Sequence, residues 1–353
     1  MWHVSWNPKG THLASCGADM VVRIWTMAKE FDFSTMHCIC TLEDAQTRTI
    51  RSIEWSPDGR MMACASFDGT VVVWKAQNHT LLHWDQIASL DGHENECKSV
   101  SWSKVGFFVA TCGRDKKIWV WEQEEDGEFD CIGLLEGHTQ DVKFVIWHPQ
   151  STILYSCSYD DTIKIWRESD DEFYCAQTLT SHKHIVWCLS IDPNPSTQGK
   201  LLYSSGADLC VKIFQSDEAW GQGEYREMFS IPDVHRYPIY SLQMGYEHEF
   251  LATGSGDNHI TLLHKEYDSS NMPFLSKVKV LENAHDADIN CVRWGPYIES
   301  DEEEEKQGET VFTSATANQN KGHHVENSFD THYILASCAD DGLVKVWRLV
   351  MEE

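Results

Sequence analysis

No stretch of this chain approaches the roughly 20 consecutive apolar residues that a membrane span requires. Its start, Met1-Trp2-His3-Val4-Ser5-Trp6, has neither a basic n-region nor an apolar h-region. The sequence therefore predicts a soluble, non-secreted protein. Positive charge is also scarce, with 28 Lys and Arg against 55 Asp and Glu and a formal charge of -27. Such a chain repels a phosphate backbone unless its cations are strongly segregated, which argues against general nucleic-acid binding. A regular cysteine framework is missing too. The 13 cysteines have no disulfide-like spacing, and Cys16, Cys64, Cys112, Cys157 and Cys338 sit inside strand-like runs. Buried thiols in a reducing compartment, cytosol or nucleus, fit that pattern.

Core-forming material is plentiful. The chain is 42% hydrophobic and carries 15 Trp, 14 Phe and 11 Tyr, which excludes disorder for most of its length. One phrase recurs throughout: a small residue, an Asp, then alternating apolar positions ending in a large side chain. The copies read GADMVVRIW to Trp25, SFDGTVVVW to Trp74, GRDKKIWVW to Trp121, SYDDTIKIW to Trp166, GADLCVKIF to Phe214, GSGDNHITLL to Leu263 and CADDGLVKVW to Trp347. Successive endings lie 49, 47, 45, 48, 49 and 84 residues apart. Each copy follows two apolar runs split by a Pro or Gly turn, as in VSWNPKGTHLASC and IEWSPDGRMMACA. Four short strands per unit and a period in the forties describe one propeller blade of the WD40 type. The prediction is an all-β, seven-bladed WD40 propeller, a single domain over residues 1–353.

The turn Asp, a strand Ser or Thr, a preceding His and the terminal Trp form a buried relay in such blades. The third blade has His93, Thr111, Asp115 and Trp121, the fourth His138, Ser156, Asp160 and Trp166, and the seventh His285, Ser337, Asp341 and Trp347. The other blades are degraded. Phe214 and Leu263 cannot donate an indole N–H, Cys64 stands at a hydroxyl position, and Gln46 replaces a His, although Asp68, Asp208 and Asp257 remain. A Ser, His and Asp together suggest a hydrolase triad, but an enzyme needs one such set in a cleft. Recurrence with the blade period makes it architectural.

Two irregularities stand out. The chain begins in the inner strand of its first blade, leaving no residues to close the ring from the outside of the last one. An incomplete N-terminus or a three-stranded last blade with an open edge is expected. Within the last blade, the polar segment 299–331, with the acidic run Asp301 to Glu305, reads as a disordered insertion and solvated spacer.

Propellers act by presenting surfaces, and two positions per blade should face the channel mouth. One precedes the turn Asp: Ala18, Phe67, Arg114, Tyr159, Ala207, Gly256 and Asp340. The other lies four residues before the end of the inner strand: Trp2, Arg51, Lys98, Lys143, Trp187, Tyr240 and Asn290. The segregated cations appear here, with Arg51, Lys98, Arg114 and Lys143 beside Phe67, Tyr159, Trp187 and Tyr240. An acidic peptide carrying an aromatic suits that combination. Arg114, a bare cation at its turn with no evident core role, leads the candidates. Cys38 and Cys40 form the closest cysteine pair but lack a second pair at zinc-like spacing, and His323-His324 lies in the insertion, so no metal or cofactor is expected.

The phrases DGHENECKSVSW, ATCGRDKKIWVWE, EGHTQDVKFVIWHP, SYDDTIKIW and IVWCLSIDP are more particular than a generic blade. They resemble the WD-repeat family of cytosolic iron-sulfur protein assembly, over essentially all seven blades and most closely from Asp91 to Trp187. That resemblance implies a docking scaffold in the cytoplasm, with possible nuclear presence. It would hold a small partner subunit, a large helical-repeat adaptor, the iron-only-hydrogenase-like cluster carrier and client apoproteins. It implies that the propeller holds no cluster, that Arg114 matches a functionally important surface arginine, and that clients can end in a short tail with an aromatic. The sequence departs from the family at LEDAQ in the second blade, at the leucines ending the sixth, and in the insertion.

Other classes fare worse. A ubiquitin-ligase substrate receptor would show a Trp-Asp-x-Arg ending on a central blade, whereas the endings here are Trp25-Thr26, Trp74-Lys75, Trp121-Glu122 and Trp166-Arg167. A propeller enzyme needs converging acids or a metal cage at the channel, where the positions above give cations, aromatics and only Asp340.

Overall fold

Every second strand of a blade is sandwiched between neighbouring blades on both faces, and this explains its composition. Met61–Ser66, Phe108–Gly113 and Leu201–Gly206 are buried at every residue, so they read as unbroken small and apolar runs rather than alternating ones. Outermost strands are partly open instead, because one face meets solvent; Met36–Leu42 buries its ends and exposes His37, Cys38 and Thr41. The computed structural model describes residues 1–27, 35–105, 107–124, 127–170, 172–246, 249–295 and 332–350, and the backbone of 309–313. The predicted polar insertion falls outside the described residues except at 309–313.

Seven four-stranded antiparallel sheets result, over 3–42, 50–91, 97–135, 142–179, 186–231, 239–281 and 289–350. Six run in chain order from inner to outer strand. Between each pair of consecutive sheets lies one hydrophobic cluster, and the seventh cluster joins Val4, Leu13 and Trp25 to Cys291, Ile334 and Val346, which closes the ring. Inner-strand tryptophans add a second tie from blade to blade. Trp55, Trp147 and Trp294 donate their indole N–H to the carbonyls of Ser5, Ser101 and Gln243 at 3.0, 3.1 and 3.0 Å.

The last blade differs from the three-stranded form expected of it. Its order is Ile289–Trp294, His332–Ala339, Leu343–Val350, then Glu309–Thr313 on the outside. The outer strand thus comes from within the polar insertion, pairing antiparallel with Glu309 opposite Trp347 and Thr313 opposite Leu343. The run Thr-Val-Phe-Thr inside an otherwise polar segment has the β-branched and aromatic character that an open sheet edge recruits.

Candidate functional site at the channel mouth

The relay residues fold into the pattern their spacing implies. In the fourth blade His138 Nδ1 is 2.8 Å from Asp160, Nε2 is 2.8 Å from Ser156 Oγ, and Trp166 donates to that same oxygen at 2.8 Å. The seventh blade repeats these contacts through His285, Asp341, Ser337 and Trp347, and the third through His93, Asp115, Thr111 and Trp121. One proton order satisfies every atom: Nδ1–H donates to the carboxylate, the hydroxyl donates to Nε2, and the indole N–H donates to the hydroxyl. Ser156 and the His138 side chain are fully enclosed, so the trio is sealed inside the blade. The degraded blades keep more than their turn Asp. His182 bridges Asp208 and Ser204 in the fifth, and His235 bridges Asp257 and Thr253 in the sixth. In the second, Gln46 Nε2 donates to the Cys64 carbonyl at 2.9 Å in place of the missing His.

A recurring backbone irregularity builds the channel mouth. The pairing between first and second strands skips one inner-strand residue in six blades, and the skipped residues are Arg51, Lys98, Lys143, Trp187, Tyr240 and Asn290. A β-bulge of this kind removes a residue from the ladder and re-aims its side chain. It places one side chain per blade at the channel, where cations and rings interleave. The Arg51 guanidinium lies 5.0 Å from the centre of the Trp2 ring and the Lys98 ammonium 4.2 Å from Phe67. Lys143 lies 5.0 Å from Tyr159 and 5.1 Å from Trp187. Trp187 in turn meets Tyr240 edge-on at 5.1 Å. These are cation–π distances, each worth about 0.5–1 kcal/mol where solvent reaches the pair.

Arg114 stands at the rim with its side chain 58% exposed, and it is not a bare cation. Its Nη1 lies 3.3 and 3.4 Å from the Glu96 carboxylate oxygens. Glu96 is held below the usual carboxylate range, first by its own backbone N–H and then by Lys98 and Arg114. Arg48, which the repeat pattern did not single out, also reaches Glu96 at 3.4 Å and donates to the Phe67 carbonyl at 2.6 Å. Lys143 pairs with Asp141 at 3.4 Å. A depression of about 320 Å3 between Lys98, Arg114, Gln140, Asp141 and Tyr159 opens at this rim. On the far side of the mouth, burial and then Asp288 and Asp340 push the Tyr240 hydroxyl up. The mouth is therefore two-sided, basic and aromatic over blades two to four and acidic near blades six and seven. Among the described residues no cluster of three or more His, Cys, Asp or Glu side chains could hold a metal ion. The Cys38 thiol is exposed and directed at the Cys40 carbonyl, 3.4 Å away, while His323-His324 lies outside the described residues.

Comparison with known proteins bears on both fold and family. A family model described as "WD domain, G-beta repeat" matches residues 1–26, 36–75, 84–122, 129–167, 173–215 and 319–348. The stretch without a match contains the sixth blade, whose repeated phrase ends on Leu263 rather than an aromatic. A chain of a solved structure, "Crystal Structure of Mitotic Checkpoint Complex", superposes with a TM-score of 0.71 over 99% of this chain and 87% of that one, at 18% identity, a likeness of fold alone. These observations define a WD40 β-propeller. Curated relatives narrow it further. The "Probable cytosolic iron-sulfur protein assembly protein CIAO1 homolog" of Caenorhabditis elegans is 35% identical over 99% of this chain and 94% of the relative. "Probable cytosolic iron-sulfur protein assembly protein 1" of Vanderwaltozyma polyspora is 40% identical over 71% and 76%, and that of Mycosarcoma maydis 34% identical over 99% and 90%. The chain belongs to this family of WD-repeat cytosolic iron-sulfur protein assembly proteins.

Proposed function

We propose that this propeller is a non-catalytic docking scaffold of cytosolic iron-sulfur protein assembly, and that the basic and aromatic side of its channel mouth receives an acidic, aromatic-bearing peptide. The observation that carries the reading is the concentration of Arg51, Lys98, Arg114 and Lys143, interleaved with Phe67, Tyr159, Trp187 and Tyr240, on a chain of net charge -27. Cations held against rings can meet a carboxylate above while the rings bury an apolar side chain. Arg114 already pairs with Glu96, so an incoming carboxylate exchanges one partner for another and association stays reversible.

Its partners are a small subunit, a helical-repeat adaptor, an iron-only-hydrogenase-like carrier and client apoproteins, in the cytoplasm and also in the nucleus. The cluster is cargo passing between them. Affinity purification from cells tests the assignment: iron-sulfur assembly factors should co-purify, and depletion should lower cytosolic iron-sulfur enzyme activities while sparing mitochondrial ones. Recovery of cullin adaptors without those factors would favour a ubiquitin-ligase receptor instead. For the surface itself, Arg114→Glu and Trp187→Ala should each weaken binding of partners; unchanged binding to every isolated partner sinks the proposed face.

A further inference from the structure

Below the mouth, the throat of the channel gathers four positively charged side chains around one cavity. Arg51, Lys98, Lys143 and Arg293 line one small cavity of about 20 Å3, together with Trp187, and no Asp or Glu lines it among the described residues. Arg293 donates to Ser241 Oγ at 3.2 Å and to His3 Nε2 at 2.9 Å, which requires a neutral His3. Burial lowers the pKa of that imidazole, as such a contact needs. The Arg51 guanidinium lies over the Trp2 ring. Among the described residues, Lys143 alone of the four meets a carboxylate within ion-pair distance, that of Asp141. Burial, followed for Lys98 by the nearby Lys143, makes both Arg51 and Lys98 easier to deprotonate than usual. Finally, the Trp187 indole N–H is buried and has no acceptor among the described residues. Glu96 and Asp141 offset part of the charge on Lys98 and Lys143, and Glu54 part of that on Arg293. Like charges in a poorly solvated cavity still repel one another and an orphaned buried donor costs free energy, so one further oxyanion beside Trp187 would relieve both.

We propose that the throat is an oxyanion site, in which Arg51, Lys98 and Lys143 grip one carboxylate or phosphate group and Trp187 supplies a further donor. The cavity has room for about one water-sized group, so it takes one oxygen of an anionic group whose remaining atoms stay in the mouth. Lys98 also lines the larger depression at the rim, so a guest can reach the throat from the mouth. The site rests on the docking reading only where the anion is carried by a peptide; a free anion needs no peptide at all.

Titration of the full chain with inorganic phosphate at low ionic strength, followed by calorimetry, tests the site. One saturable site is expected. Arg51→Met and Lys98→Met should each weaken it at least about tenfold, whereas Lys75→Met, an exposed cation on the strand Thr70–Ala76, should change it less than about threefold. Lys98, nearer the surface, keeps the test informative if the Arg51 variant fails to fold, and thermal melts by circular dichroism verify both. Absence of saturable binding, or loss in Arg114→Glu with retention in Arg51→Met and Lys98→Met, overturns the throat site. A second arm adds an acidic peptide ending in tryptophan, with its terminus free or amidated. Displacement of phosphate by the free acid alone identifies a guest carboxylate as the anion, and binding of both together identifies the free anion. Phosphate binding without any peptide binding removes the docking reading and leaves the throat site standing.

Discussion

A single hydroxyl holds two buried groups in the fourth blade, and its removal should show the difference between a full relay and a shortened one. Ser156→Ala leaves both the His138 Nε2 and the Trp166 N–H without a partner, whereas Ser204→Ala in the fifth blade strands only His182, because Phe214 brings no indole. Each unsatisfied buried group costs about 1–3 kcal/mol. Urea melts should place Ser156→Ala at roughly twice the destabilisation of Ser204→Ala, and equal losses would contradict the relay as drawn. His148 reports on pH. Burial pushes its pKa down to about 4, while its Nε2–H donates to the Gly199 carbonyl at 3.2 Å. The folded value lies below the unfolded one, so the neutral ring contributes stability above about pH 6.5, and this is lost as pH falls toward 4, on the order of 3 kcal/mol in all. Proton NMR of the imidazole should show it neutral at pH 5.5. Gly199 has φ +63 and a Cβ there would run into the His148 ring, so Gly199→Ala should destabilise by roughly 2 kcal/mol or more.

At this scale the sequence was legible wherever a residue type recurs with the blade period, because repetition exposes its role. His93, His138 and His285 were found in that way. Partners supplied by loops outside the repeated phrase were not. Glu96 and Arg48 lie before the inner strands and carry no periodic signature, so Arg114 looked unpaired when read alone. His182 and His235 lack the terminal Trp that marks a full relay, so their phrases read as degraded.

Among elements, the inner-strand bulge does the positioning. Counting four residues back from the end of the inner strand singles out Arg51, Lys98, Lys143, Trp187, Tyr240 and Asn290. It could not show that each is dropped from the ladder, since a bulge is a feature of pairing between two strands and leaves no composition of its own. The outer strand of the last blade was illegible for a related reason. Five residues of β character are too few to stand out in a polar insertion, and only the open edge of Leu343–Val350 gives them a partner. Proline cannot donate to a ladder, so Val311→Pro should detach Glu309–Thr313. Hydrogen exchange should then speed up at those amides of Leu343–Val350 that face the outer strand, while the six other blades keep their protection. Unchanged exchange would mean that this strand does not cover the edge.

For the whole molecule, seven hydrophobic clusters between seven sheets close the ring. Net negative charge over the body with a basic, aromatic sector at one mouth gives the surface a direction: an acidic guest is repelled elsewhere and attracted there. The central claim is that this sector docks acidic, aromatic-bearing peptides, and the affinity of the purified chain for a synthetic acidic peptide ending in tryptophan tests it most directly. Binding should weaken as salt is raised and fall at least about tenfold in Arg114→Glu and in Trp187→Ala, with melting temperatures held near that of the parent chain. Equal affinity in parent and both variants, at low and high salt alike, would contradict the account.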